Sequence, residues 1–93
     1  MDESLRPDEA RRLIRQIVAA ADLRYSPHAR AEMATDGIET RDCEHTLRAG
    51  VVEEPEWENG SWRYRVRTSQ LCVVVAFPGL ERVIVVTAWR LNR

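Results

Sequence analysis

Along this chain the spacing of apolar residues changes once, near residue 50. Before that point they recur every three or four positions, the period of a helix packed on one side. Ala10, Leu13, Ile14, Ile17, Val18 and Ala21 fall on one stripe. This predicts an amphipathic helix over 7–21, with Pro7 at its first position and Asp8 and Glu9 at the positive end of its dipole. Residues 1–6 are polar and read as frayed. Residues 22–25 read as an extended link or an edge strand. Ser26 is the expected N-cap of a second helix over 27–35, with Pro27 in its first turn and His28 at its second position. Ala29, Met33 and Ala34 point toward the core, and Asp36-Gly37 ends the helix. Ile38 is a core anchor. Thr40 is the expected N-cap of a third helix over 41–49, with Cys43, Thr46, Leu47 and Gly50 on its inner stripe and Gly50 as a left-handed stop.

From Val51 onward the period is two. Val51 to Glu58 is extended and acidic, and Pro55 demotes it to an edge or irregular strand. Asn59-Gly60 is a tight hairpin turn, because both residues tolerate the positive φ that such a turn needs. Strands follow at 61–68, 71–77 and 82–89, the last two joined at Pro78-Gly79. Three helical segments followed by a meander make an α+β domain, with helices on one face of a three- to four-stranded antiparallel sheet. The whole chain, 1–93, reads as a single domain.

In the strand after Asn59-Gly60 alternation separates Trp62, Tyr64 and Val66 from Arg63, Arg65 and Arg67. Three guanidinium groups about 7 Å apart repel one another, and an anion laid across them would relieve that repulsion. The competing reading pairs them with Glu53, Glu54, Glu56 and Glu58 on the neighbouring strand.

Charge sharpens both readings. The net charge is −1, yet residues 1–58 hold eight Arg against fourteen acidic residues, and residues 59–93 hold six Arg against one Glu. A basic C-terminal half suits a polyanion or an acidic partner. All fourteen basic residues are arginine, which excludes a catalytic lysine. Cys43 and Cys72 read as buried free thiols. No His or Cys pair has metal-ligand spacing, so neither a metal nor a cofactor is expected. No apolar run reaches the roughly 18 residues of a membrane span, and the acidic start lacks a signal-peptide layout, so a soluble cytoplasmic protein is expected.

His28 is the acid–base candidate. Near a helix N-terminus the imidazolium is disfavoured, and Glu32 lies one turn on to orient the ring. The alternative is a His that caps or packs. His45 reads as surface. Trp57, Trp62 and Trp89 are either stacking platforms or core, with Trp57 the most exposed of the three. Arg11, Arg12 and Arg15 form either a solvated face of the first helix or a charged one, and helix 7–21 could also be a self-association surface.

The run Ser26-Pro27-His28-Ala29-Arg30-Ala31-Glu32-Met33, then Gly37-Ile38, Gly50 and Arg63-Tyr64-Arg65-Val66, resembles a widespread prokaryotic family of small domains of unknown function. That family is similar to the RelE-like and MqsR-like toxins, metal-independent messenger-RNA endonucleases held by antitoxin proteins. The resemblance covers about residues 22–90. It implies a RelE-like fold, RNA as substrate, an antitoxin as partner, and catalysis by His28, Arg65 and Arg90. Arg63, Arg67, Glu32 and Tyr64 would then bind substrate, although Tyr64 alternates with Trp62 and Val66 and reads more readily as core. Asp36 stands where the family usually has a basic residue. The alternative is a non-catalytic module of the same fold that binds RNA, DNA or protein. The ladder can serve catalysis only where His28 and Arg90 converge on it.

Overall fold

The computed structural model describes residues 3–91. Three helices precede the main run of strands: α1 over Pro7–Ala19, α2 over Pro27–Asp36 and α3 over Thr40–Ala49. The strands are β1 (Leu23–Tyr25), β2 (Val51–Val52), β3 (Glu56–Glu58), β4 (Ser61–Arg67), β5 (Leu71–Gly79) and β6 (Arg82–Arg90). The sheet runs β1-β6-β5-β4-β2, and β3 pairs with β4 beside β2. The expected α+β class stands, but the sheet has six strands and is mixed. β1 lies parallel to β6, Leu23 to Tyr25 opposite Val83 to Val85. Pro55 falls in the break between β2 and β3, which share one edge of β4.

The helix ends carry their own chemistry. α1 stops two residues before its expected end because Ala21 takes φ +59°, and the Ala21 and Asp22 amides donate back to Val18 O and Ile17 O. Ser26 caps α2 as expected, its Oγ accepting from Ala29 N at 3.0 Å, and Gly37 closes it at φ +66°. Glu39, not Thr40, caps α3; its N–H donates to the Asp42 carboxylate at 2.8 Å.

Gly50 is not a left-handed stop. Its φ is −79°, and a Cβ there would sit 2.6 Å from Thr46 O and 2.8 Å from Arg67 O. Glycine is needed because the chain leaves α3 pressed against the end of β4. Pro78-Gly79 is also not the turn: β5 continues through Gly79, which pairs with Arg82. Of the start expected to fray, residues 1–6, residues 1 and 2 lie outside the described residues. Leu5, by contrast, is pinned: its N–H donates to Tyr64 Oη at 2.5 Å and its carbonyl accepts from the same hydroxyl at 3.2 Å.

One core lies between the helices and one sheet face. It joins Ala10, Ile14, Ile17 and Val18 of α1, Ala29 and Met33 of α2, and Cys43 and Leu47 of α3 to Tyr64, Val66, Val73, Val75, Val83, Val85 and Ala88. The apolar stripe of α1 is thus taken up by its own chain, with Arg11, Arg12 and Arg15 outward. Cys72, Val74 and Ala76 are buried too, yet they stand outside this core, on the opposite face of β5. No helix among the described residues is long and apolar enough to cross a membrane.

Candidate nucleic-acid interface

The Asn59-Gly60 turn forms as the sequence predicts, with φ +50° and +82°, and it sets the register of β4. Glu56 then faces Arg63, Trp57 faces Trp62, and Glu58 faces Ser61. Residues directly opposite share a face. Tyr64 and Val66 go into the core, fully buried, while Arg63, Arg65 and Arg67 stand on the face without helices. Arg65 lies opposite Val74, and Arg67 opposite Cys72, which in turn faces Trp89. A groove of about 190 Å³ runs there, lined by Glu56, Glu58, Arg63, Arg65, Val74, Val86, Thr87 and Trp89.

Two of the three arginines meet glutamates that the competing reading names, and the third meets a serine. Arg65 Nη1 lies 3.1 Å from Glu56 Oε1, Arg67 Nε donates to Glu53, and Arg63 Nε donates to Ser61 Oγ at 2.9 Å. The side chains of both ion pairs are 37–62 % exposed, so each pair contributes about 0–1 kcal/mol. A phosphate can displace such a carboxylate at small cost. Beneath them Cys72 has its thiol pushed up to about 11, mainly by burial, with Arg65 pulling the other way and Glu53 adding to it.

Arg90 does not join the ladder. It pairs with Leu71, on the core side of the sheet. The cause is a register shift: Val75 faces Val85 but Val74 faces Thr87, so Val86 is an extra residue in β6. Strict alternation from Val83 and Val85 would have put Arg90 on the arginine face, beyond Arg67; the extra residue turns it to the other face. There it clamps the end of α2, Nε donating to Asp36 O at 3.0 Å and Nη2 to Gly37 O at 2.9 Å. His28 sits at the opposite end of α2, about 12 Å from Asp36 along the axis at 1.5 Å per residue. Its ring is exposed, with Nε2 3.7 Å from Glu32 Oε1. The three expected catalytic groups therefore do not meet at one point.

Tyr64, expected to touch substrate, is a core residue whose hydroxyl holds Leu5; burial raises its pKa above the usual phenol value. Trp57 is 57 % exposed and meets Trp62 edge-on at 5.3 Å, on the face opposite the arginines. Trp89, half-buried in the groove, is the aromatic that shares the arginine face. Among the described residues no cluster of three or more His, Cys, Asp or Glu is placed to hold a metal ion.

Residues 25–90 match the family described as Domain of unknown function (DUF4258). The chain belongs to that family. The match begins at the end of β1 and stops at the end of β6, so in this DUF4258 chain α1 lies outside it while the groove and the arginine ladder lie within. No curated protein and no solved structure matches the chain. Nothing in these comparisons ties the DUF4258 chain to the RelE-like or MqsR-like toxins.

Proposed function

We propose that this domain binds single-stranded RNA across the helix-free face of its sheet, as a non-catalytic module. One observation carries the reading: an open sheet face bears three arginines, two residues apart, and two of them, Arg63 and Arg65, line one groove with a half-buried Trp89. Guanidinium groups about 7 Å apart suit a phosphate backbone, and an indole offers a face on which an unpaired base stacks. The Glu53 and Glu56 partners act as removable covers on the arginines.

The test is fluorescence anisotropy of a labelled 12-nucleotide RNA. Three phosphate contacts to a single strand imply a salt slope near −2, so affinity falls about 20-fold between 50 and 200 mM salt. Arg65→Ala removes one contact and leaves a fall of about sevenfold. Glu56→Gln uncovers Arg65 and tightens binding. Affinity that is indifferent to salt, or unmoved by Arg65→Ala, sinks the reading.

A metal-independent endoribonuclease, with an antitoxin protein covering this face, is a second reading. It keeps the His28–Glu32 pair in its favour. Under it the same RNA is cleaved in EDTA, and His28→Ala slows cleavage about 100-fold or more. RNA that is bound and left intact favours the module.

A further inference from the structure

The fold builds a second cavity that the arginine face does not use. It is about 280 Å³, close to the lower end of small-ligand sites, and it lies on the core side of the sheet. Three elements wall it: α3 with Asp42 and His45, the β4–β5 turn with Thr68 and Gln70, and the end of β6 with Arg90. Leu71 is the one apolar residue in its lining. Residue 45 reads from sequence as plain surface, and nothing local marks it otherwise, because its partners arrive from residues 68–90.

Some of these groups are already committed. Thr68 Oγ1 accepts from the Gln70 and Leu71 amides at 3.2 Å each, which fixes the turn. The Arg90 edge made by Nε and Nη2 holds the α2 carbonyls. Asp42 accepts the Glu39 N–H through Oδ2. What remains is complementary. The Nη1 side of Arg90 is held in place with no protein acceptor among the described residues, and the exposed His45 ring lines the same cavity. The Gln70 side-chain amide adds a neutral donor. Against these stands the Oδ1 of Asp42, an acceptor only.

From this we propose that the cavity binds a phosphate monoester together with its sugar, as a nucleoside monophosphate does. Donors on three separate elements suit a tetrahedral group with several oxygens better than a planar carboxylate, which two donors already satisfy. A fixed guanidinium needs no reordering to bind it. The Asp42 carboxylate repels phosphate and accepts from hydroxyls, so it selects the ribose side of the ligand. One ligand chemistry here has two sources: a free mononucleotide, or the phosphorylated end of a nucleic-acid strand. The cavity proposal stands apart from the RNA reading, since its residues lie on the other face.

The probe is UMP, titrated into the full ¹⁵N-labelled chain and followed by NMR, with uridine and sulfate as controls. UMP should shift the His45 ring signals, the Gln70 side-chain amide and the Leu91 backbone amide, which donates to Gln70 O at 2.8 Å. Uridine at equal concentration should leave them in place. His45→Ala and Gln70→Ala, both at exposed positions, should each weaken UMP about tenfold or more with an unchanged circular dichroism spectrum. No shift at millimolar UMP overturns the proposal. So does a response to sulfate equal to that for UMP, which would mean that any anion serves. A short RNA with and without a 5′-phosphate then separates the sources: a gain on phosphorylation identifies a strand end, and UMP alone binding identifies the free nucleotide.

Discussion

Gly50 gives the sharpest test of how the two halves of the chain are joined. Its φ of −79° is open to any residue, so alanine there costs nothing in backbone conformation. The cost is contact. An added Cβ meets Thr46 O at 2.6 Å, Arg67 O at 2.8 Å and the Val66 Cγ1 methyl at 3.0 Å. Two of these atoms are backbone, so α3 or β4 must shift as a body. That places Gly50→Ala near the upper end of overpacking costs, about 3 kcal/mol. Stiffening the unfolded chain returns about 0.4–1 kcal/mol, which leaves a net loss of about 2 kcal/mol. For a domain of this size that lowers Tm by about 8–16 °C. Urea unfolding followed by tryptophan fluorescence measures the loss. The companion substitution separates close contact from a left-handed stop. Asparagine tolerates the left-handed region, so at Gly37, with φ +66° and no atom within 4 Å of a Cβ, Asn should be milder than Ala. At Gly50 Asn should be no milder than Ala, because the larger side chain meets the same two carbonyls. The reasoning is refuted if Gly50→Ala is stable to within about 0.5 kcal/mol of the parent, or if Gly50→Asn is the more stable of the pair.

Two further outcomes follow from strain and from burial. Ala21 ends α1 at φ +59°, a conformation that costs an L residue about 1–2 kcal/mol. Ala21→Gly should therefore stabilise the fold by about 0.5–1 kcal/mol after its unfolded-state cost, and an equal or lower urea midpoint would contradict that geometry. Burial, with Asp42 and Glu44 beside Cys43, pushes that thiol up to about 11, and Cys72 also stands near 11. Both are raised above the ordinary value of 9.0, so the fold favours the neutral thiols. Their contribution is complete below about pH 9 and is lost as pH rises from 9 toward 11. Stability should decline over that window, and by less in Cys72→Ala. Rapid labelling of both thiols in native protein at pH 8 would contradict their burial.

What the sequence made legible was local. Asn59-Gly60, the alternation that follows it and the Ser26 cap each depend on a few adjacent residues, and each formed as read. The glutamate partners of Arg65 and Arg67 were also within reach of inspection, since a two-residue turn folds one run onto the other. Three features were not legible, for three reasons. The stretch at 22–25 holds an edge strand, one of its two readings, but its parallel pairing with β6 was hidden because the partner lies sixty positions away. The role of Gly50 depends on a carbonyl seventeen residues downstream. The face taken by Arg90 depends on one extra residue at Val86, in a run of Val and Ile where alternation gives no sign of a break. A single insertion of register was enough to dissolve the expected trio of His28, Arg65 and Arg90 and to set Arg90 beside His45.

The pairing of β1 with β6 carries a consequence for how this chain comes into being. Val83 to Val85, which Leu23 to Tyr25 need as neighbours, are sixty residues further along the chain. At about 5–20 residues per second a ribosome needs roughly 3–12 s to make that stretch. During this interval β1 has no strand to join, and the α2 residues Ala29 and Met33 lack the β6 surface that helps to bury them. α1, α2 and α3 are made early, but the sheet that orders them closes only with its last strand. A nascent chain halted before Val83 therefore has β4 and β5 to pack on α3 but leaves the apolar side of α2 without its β6 cover.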